Sequence, residues 1–338
     1  MRIWLSSWMG SVTDTIQEIK TTFPDAYILA SHEKITSPLY LTADAFLIEP
    51  EFDTDREYAQ WVAETCREYQ IQLLYPYHGM LRIAKNLDLF EGIQVITEPA
   101  DLQLKMESKC DVYSTLIQEG LGYLVPQFDQ VTSLAQFKDA CEAYRKLGFK
   151  LCIKAAHDVG AQSFKFITFD ELSTADLYRR TGSRISYDNL CKLFSQLESE
   201  GQAFEFIVMP YMPDPEASVD CYRTKDGKFI AIPRFKVNGK LREIDHHIYL
   251  ESAAQKIYDL FGLSAIANVQ FRLDPVTEQF KLLEVNTRMS GGVAMTNLCG
   301  VNLMEYLIRD KFNLPQVYKD FGPVRVATYA KAYVVGEE

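Results

Sequence analysis

Several familiar signatures are missing from this chain. Its seven cysteines (66, 110, 141, 152, 191, 221 and 299) form no CxxC pair and no metal-ligand spacing. That scatter excludes a disulfide framework or a structural zinc site, and it reads as reduced thiols. No basic stripe offsets the formal net charge of −11, so a nucleic-acid partner is not expected, because phosphate backbones demand clustered Lys or Arg. No run approaches the ~18 apolar residues of a membrane span. The opening has one early Arg and then Trp4, Ser6, Trp8 and Gly10 before a polar stretch, too short and interrupted an apolar region for a signal peptide. A soluble, cytoplasmic protein is therefore expected. No internal repeat or low-complexity segment is visible. No GxGxxG follows the first expected strand, which removes the main support for a nicotinamide-binding reading.

What is present is enough apolar residue, 47% of 338, for two or three cores, with 24% charged residues arguing against wholesale disorder. Residues 1–100 alternate strand-like runs with amphipathic stretches. Arg2–Leu5, Ala26–Ala30, Ala45–Ile48, Gln72–Pro76 and Gln94–Ile96 read as strands, and Thr13–Phe23, Asp55–Tyr69 and Met80–Phe90 as helices. Such alternation predicts a doubly wound α/β unit with a mostly parallel sheet. One long helix is expected over Asp101–Gly120 and another over Ser133–Leu147, followed by strands Phe149–Ala155 and Ser163–Thr168 paired across a short loop. A polar, helical region then leads to Phe204–Met212. Beyond it the pattern becomes antiparallel hairpins: Ser218–Thr224, Phe229–Lys236, Ala267–Leu273 and Phe280–Asn286, with turn chemistry at Asp226-Gly227 and Asp274-Pro275. Leu303–Lys311 reads as a final helix.

The most informative stretch is Ala267-Asn-Val-Gln-Phe-Arg-Leu273 with Lys281-Leu-Leu-Glu-Val-Asn-Thr-Arg288. Strands alternate faces, so Glu284 and Asn286 project from one side, and hairpin pairing can bring Gln270 to that side. Three oxygen donors, one of them anionic, suit Mg²⁺, which takes a few hard ligands from protein and fills its octahedron with phosphate and water. By themselves, the same residues equally describe a solvated polar strand face.

VQFRLDxxxxxFKLLEVNTRMSGG resembles the C-terminal signature of the ATP-grasp superfamily, most of all its carbamoyl-phosphate-synthase-like branch. The resemblance implies that Gln270, Glu284 and Asn286 hold one or two Mg²⁺ ions, with Mn²⁺ able to substitute. It implies that Arg288 contacts the transferring phosphate or acyl phosphate, and that Ser290-Gly291-Gly292 forms the substrate-side turn whose glycines allow close backbone approach to an anion. Thr287 stands where the family commonly has Pro. Phe206-Ile-Val-Met-Pro-Tyr-Met-Pro-Asp-Pro-Glu-Ala-Ser-Val-Asp220 is similar to the family's hinge. There Met209 to Met212 would border the adenine: the Pro210 carbonyl would accept from the amino group, Tyr211 would lie between, and the Met212 N–H would donate to the ring. Proline can serve because only its carbonyl is needed. Glu216 would accept the ribose hydroxyls. Lys154, ending an apolar strand where an unpaired cation is expensive, would contact phosphate and adenine, and Lys109 resembles the family's other lysine.

One segment departs from the pattern. The loop Ala156–Ser163 carries a single glycine, Gly160, where the family's phosphate-covering loop is glycine-rich, leaving His157 or Ser163 as donors. Arg234 and Lys236 alternate onto one strand face, where family members often use an Arg for phosphate or the acid substrate. His246 and His247, adjacent on an expected loop, suit neither a zinc site nor a triad. His32 and His78 sit near strand ends where acceptor substrates of the family sometimes approach.

The resemblance covers the whole chain and implies three segments: a doubly wound pre-ATP-grasp α/β domain (1–104), and the two ATP-grasp subdomains (105–207, with lysines and lid; 208–338, with hinge and metal ligands). The opening MRIWLSSW also looks like ATP-grasp proteins of tellurite-resistance gene clusters. The implied activity is an ADP-forming carboxylate-amine ligase. Mg·ATP would convert a small-molecule carboxylate into an acyl phosphate, and an amine would then attack to give an amide or peptide bond. Arg288, Lys154 and Glu284 would be catalytic. Alternatives are a bicarbonate-activating carboxylase or carbamoyl-type enzyme, and a catalytically silent ATP-binding scaffold. Many relatives are homodimers.

Overall fold

The computed structural model describes residues 1–6, 13–77, 79–157, 163–170, 184–329 and 332–334. The chain divides into two compact units, one of residues 1–104, 217–270 and 285–338, the other of residues 105–216 and 271–284.

The first unit opens with the doubly wound sheet. Its five strands run, edge to edge, Ala45–Ile48, Tyr27–His32, Arg2–Ser6, Leu73–Pro76 and Gln94–Val95, and all adjacent pairs are parallel. Nearly continuous apolar runs suit it, since a parallel sheet is covered on both faces. Ile3, Leu5, Ile28, Leu73 and Tyr75 enter one core with Ile16 and Ile19 of helix Thr13–Thr22. Their neighbours Trp4, Leu29 and Leu74 enter another, against Ala59, Val62 and Cys66 of helix Asp55–Glu68. That helix begins in a capping box, with Thr54 and Glu57 satisfying each other's backbone N–H. The helix expected over Met80–Phe90 stops at Ala84 and resumes as a short 3₁₀ turn, Leu87–Leu89. Asn86 Nδ2 donates to the Arg82 carbonyl at 2.9 Å, which competes with the helical ladder.

A six-stranded sheet follows in the order Phe280–Asn286, Ala267–Leu273, Glu216–Arg223, Phe229–Asn238, Leu241–Ile244 and Val324–Ala327. The division between units falls after Glu216, between Gln270 and Phe271, and between Glu284 and Val285. The hairpin turn at Asp226-Gly227 needs its glycine, which has φ +94°. Two strands, Leu241–Ile244 and Val324–Ala327, and the helix Ile248–Leu260 were not expected from sequence. His247, expected on a loop, caps that helix by accepting from the Leu250 N–H at 3.3 Å. The last expected helix is found at Leu303–Lys311.

In the second unit the sheet order is Asp129–Val131, Phe206–Pro210, Leu151–Ala155, Lys165–Thr168 and Arg184–Ser186. Alternation on Leu151–Ala155 sends Leu151 and Ile153 down onto Phe137, Ala140, Leu190 and Phe194 of the helices Leu134–Lys146 and Tyr187–Ser199. Cys152 therefore faces the opposite side, among Met209, Met212 and Ala156, and Lys154 shares that face by the same alternation. The single helix expected over Asp101–Gly120 is two, Ala100–Glu107 and Lys109–Gln118. Ser108 breaks it by capping the second, accepting from the Asp111 N–H at 3.2 Å, while the Lys109 N–H donates to the Ala156 carbonyl at 3.2 Å.

Candidate functional site

In the second unit, the sheet face opposite the helices Leu134–Lys146 and Tyr187–Ser199 holds a cavity of about 290 Å³. Its walls are set by strand register. Cys152 lies opposite Met209, and Lys154 opposite Ile207, on antiparallel neighbours. Phe164, Phe166 and Tyr211 form an aromatic wall, with Phe166 edge-on to Tyr211 at a centroid distance of 4.8 Å and to Phe164 at 5.0 Å. Lys150 Nζ caps the Phe166 ring at 3.9 Å. Such a slot, apolar with a few convergent polar groups, fits a flat heteroaromatic ring.

At one part of the lining sit Lys109, Lys154 and Glu284. Lys154 is 6% exposed, and its Nζ has no hydrogen-bond partner among the described residues. Burial, helped by the neighbouring Lys109 cation, pulls its amine down to about 8. Lys109, the first residue of its helix, is 7% exposed, and its Nζ lies 3.6 Å from Glu284 Oε2. Two buried amino groups thus converge near the Glu284 carboxylate, a concentration of positive charge that suits a polyanion.

Elsewhere in the lining Arg272 is the organising group. Its guanidinium donates to Glu216 Oε2 at 2.9 and 3.2 Å, to Tyr211 Oη at 3.1 Å, to the Met212 carbonyl at 3.0 Å and to Asp214 Oδ1 at 3.1 Å. One rigid fork thereby holds the whole segment 211–216 and aims the Glu216 carboxylate. Pro210 ends its strand opposite Leu151, and the Tyr211 N–H is taken by the Lys150 carbonyl at 2.7 Å. Sequence reading passed over Arg272, although it lies two residues beyond Gln270 in the same strand. It also passed over the aromatic wall, although Phe164 and Phe166 sit two residues apart.

The structure brings together in this cavity Lys109, Lys154, Met209, Tyr211, Met212, Glu216 and Glu284 of the expected site residues. Gln270, Asn286, Arg288, Arg234, Gly291 and Gly292 belong to the first unit. There Arg288 donates to Tyr77 Oη at 2.8 Å and stacks over its ring at 4.6 Å. Arg234 is 8% exposed and engaged by its own unit: it donates to Ser290 Oγ at 3.1 Å and Thr296 Oγ1 at 3.3 Å, and lies 3.5 Å from Asp220 Oδ2. Gly292 is a glycine for a steric reason, since a Cβ there would meet that guanidinium at 2.6 Å.

His157 pairs with Glu205 at 3.6 Å, and Ser163 Oγ accepts from the Ala155 N–H at 2.9 Å. Gly160 and His78 lie outside the described residues. His246 is held by Glu251 and the Phe321 carbonyl, each at 3.1 Å, and neither His246 nor His247 lines the cavity. Among the described residues no group of three or more His, Cys, Asp and Glu could hold a metal, and no helix is long and apolar enough to cross a membrane.

Residues 202–332 match the model of a family described as ATP-grasp in the biosynthetic pathway with Ter operon. No curated protein sequence matches the chain. Solved structures do. An ADP complex of purK, an N5-carboxyaminoimidazole ribonucleotide synthetase, is 16% identical with a TM-score of 0.67, over 96% of this chain and 80% of that one. A biotin carboxylase from Campylobacter jejuni, with β,γ-ATP, is 17% identical with a TM-score of 0.63, over 94% of this chain and 72% of that one. An L-amino acid ligase from Bacillus licheniformis is 13% identical with a TM-score of 0.63, over 92% of this chain and 74% of that one. At such identity these likenesses speak for the fold alone: the parallel and antiparallel sheets described above are those of an ATP-grasp fold, and residues 202–332 match the ATP-grasp family model.

Proposed function

We propose that this protein is an ATP-dependent ligase that phosphorylates a small-molecule carboxylate and passes the acyl group to an amine, releasing ADP and phosphate. The observation that carries the reading is the Lys154 ammonium, buried in an apolar cavity beside Lys109 with no hydrogen-bond partner among the described residues. A desolvated cation of that kind needs an anion, and a nucleotide phosphate supplies one. The adenine would lie in the aromatic slot between Met209 and Phe166, the Pro210 carbonyl and Met212 N–H would read its edge, and Glu216 would accept the ribose hydroxyls.

Magnesium fits the oxygen donors of the signature: Glu284 and Asn286 are alternate residues of one strand, and Gln270 would complete the set. When bound, Mg²⁺ supplies charge neutralisation on the phosphates. The chain's own contribution is positioning and fixed charge. Lys154 and Lys109 would hold phosphate oxygens, and Arg288, braced by Tyr77, would supply positive charge to the transferred phosphoryl group. The carboxylate oxygen attacks the γ-phosphorus in line, the bond to ADP breaks, and an acyl phosphate forms. The amine then attacks the acyl carbon, phosphate leaves and the nitrogen loses a proton to solvent; the Gly291–Gly292 backbone N–H groups would hold the acyl phosphate. Segments 1–104, 105–207 and 208–338 would act as pre-ATP-grasp domain, lid-bearing subdomain and metal-bearing subdomain, with the work done in the cytoplasm and no nucleic-acid partner; a homodimer is the proposed assembly.

A hydroxylamine trap tests this. Protein, Mg·ATP and a panel of amino and organic acids are incubated, and ADP and hydroxamates are followed by mass spectrometry. ADP with a hydroxamate, both absent in Glu284→Ala, is the expected outcome. AMP with pyrophosphate would refute the acyl-phosphate step.

A further inference from the structure

A buried polar chain in the first unit determines which end of the Gln270 amide is presented outward. Asp220 is fully buried on the strand Glu216–Arg223. Its Oδ2 accepts from Thr296 Oγ1 at 2.7 Å and lies 3.5 Å from the Arg234 guanidinium. Its Oδ1 accepts from Asn268 Nδ2 at 2.7 Å. Asn268, also fully buried, is two residues from Gln270 on the same strand, and its Oδ1 accepts from Gln270 Nε2 at 3.1 Å. Ser218 Oγ supports it, accepting from Asn268 Nδ2 at 3.2 Å.

The direction of this chain follows from charge. A carboxylate beside a guanidinium only accepts, so Asn268 must turn its NH₂ toward Asp220. Its carbonyl oxygen then points toward Gln270, and only the Gln270 NH₂ can meet an oxygen. The remaining end of that amide is Oε1. A primary amide flipped the other way would present NH₂, which cannot ligate a cation. We propose that Asp220 and Asn268 are positioning residues that hold Gln270 with its oxygen outward, so that it is competent to ligate the nucleotide-bound divalent cation. The inference rests on the ATP-site reading above, and it assigns Asp220 and Asn268 a role the signature residues do not cover. The same chain engages Arg234, which lies 3.5 Å from Asp220 Oδ2 and donates to Thr296 Oγ1 and Ser290 Oγ.

The test is the divalent-cation dependence of binding of a non-hydrolysable ATP analogue, with Mg²⁺ by calorimetry and Mn²⁺ by electron paramagnetic resonance. The set is wild type, Gln270→Ala, Asn268→Ala and the double variant, with Asp220→Asn as a second way to reverse the amide order. Loss of an outer-shell partner weakens metal affinity by roughly 10–100-fold. Asn268→Ala and Asp220→Asn should each raise the Mn²⁺ midpoint by about tenfold or more, with metal-free nucleotide affinity unchanged within about twofold. The double variant should then match Gln270→Ala alone, because the relay acts only through that amide. A normal midpoint in Asn268→Ala and Asp220→Asn, or additive losses in the double variant, overturns the relay and leaves the ATP site standing. A wild type without cation-dependent nucleotide binding, or a silent Gln270→Ala, overturns the reading of the site and the relay with it. Circular dichroism on each variant separates unfolding from these outcomes, and parallel loss of metal-free nucleotide affinity in both relay variants would mark them as purely structural and also overturn the proposal.

Discussion

Replacing Lys154 by Met should make the free protein more stable and the nucleotide complex weaker. The wild-type amine falls from its ordinary 10.5 to about 8 through burial first and the Lys109 charge second, which at about 1.36 kcal/mol per unit is a penalty of about 3 kcal/mol on the charged form. Below pH 8 the folded and unfolded chains both hold the proton, so the whole penalty weighs on the fold. Between about 8 and 10.5 the unfolded chain binds more protons than the folded one, and stability rises with pH until the penalty is gone. Lys154→Met keeps an unbranched side chain of similar length without the charge. Urea unfolding at pH 7 should show a gain of up to about 3 kcal/mol, and this residue's share of the pH dependence between 8 and 10.5 should vanish. Calorimetry with Mg·ATP should show the reverse: a lost charge-assisted contact of about 1.5–3 kcal/mol, roughly 10–150-fold in affinity. A variant less stable at pH 7, or one that binds Mg·ATP as wild type does, would refute the claim that this cation is stored for an anion.

Three further changes probe the fold. Gly292→Ala drives a Cβ to 2.6 Å from a guanidinium held by three partners, and overpacking of that kind should cost about 1–3 kcal/mol. Gly322→Ala, with nothing within 4 Å of its added Cβ, should be near neutral in the same denaturation series. Arg272→Met removes the donors to Glu216, Tyr211, Met212 and Asp214, and should weaken nucleotide binding by about tenfold or more through loss of charge-assisted hydrogen bonds. An unchanged affinity by calorimetry would mean that segment 211–216 keeps its shape without the fork.

Much of the fold was legible because it is local. The strand Ala45–Ile48 and the helix Leu303–Lys311 stand where periodicity puts them, and Trp4 and Leu5 take opposite faces by alternation alone. The misreadings share a cause. Ser108 looks like a helix-interior residue until the Ala156 carbonyl, from a distant strand end, takes the next N–H. The helix Ile248–Leu260 does carry helical spacing in Leu250, Ala254, Ile257 and Tyr258, but the histidines before it drew attention as a loop, and one of them is its cap. The strands Leu241–Ile244 and Val324–Ala327 are defined by pairing, the first lying between Phe229–Asn238 and the second.

For the site, sequence alone determined which residue types stand where: the Gln270, Glu284, Asn286 and Arg288 series, the two lysines and the segment 206–220. Those are read from neighbours along the chain, and a two-residue period settles which of them share a strand face. Tertiary structure alone decided that Lys154 is desolvated with no hydrogen-bond partner among the described residues, that Arg272 organises the segment 211–216, and that the Gln270 amide is turned by Asp220 through Asn268. Desolvation and amide orientation depend on atoms supplied by other strands, whose distance is set only when the sheets close.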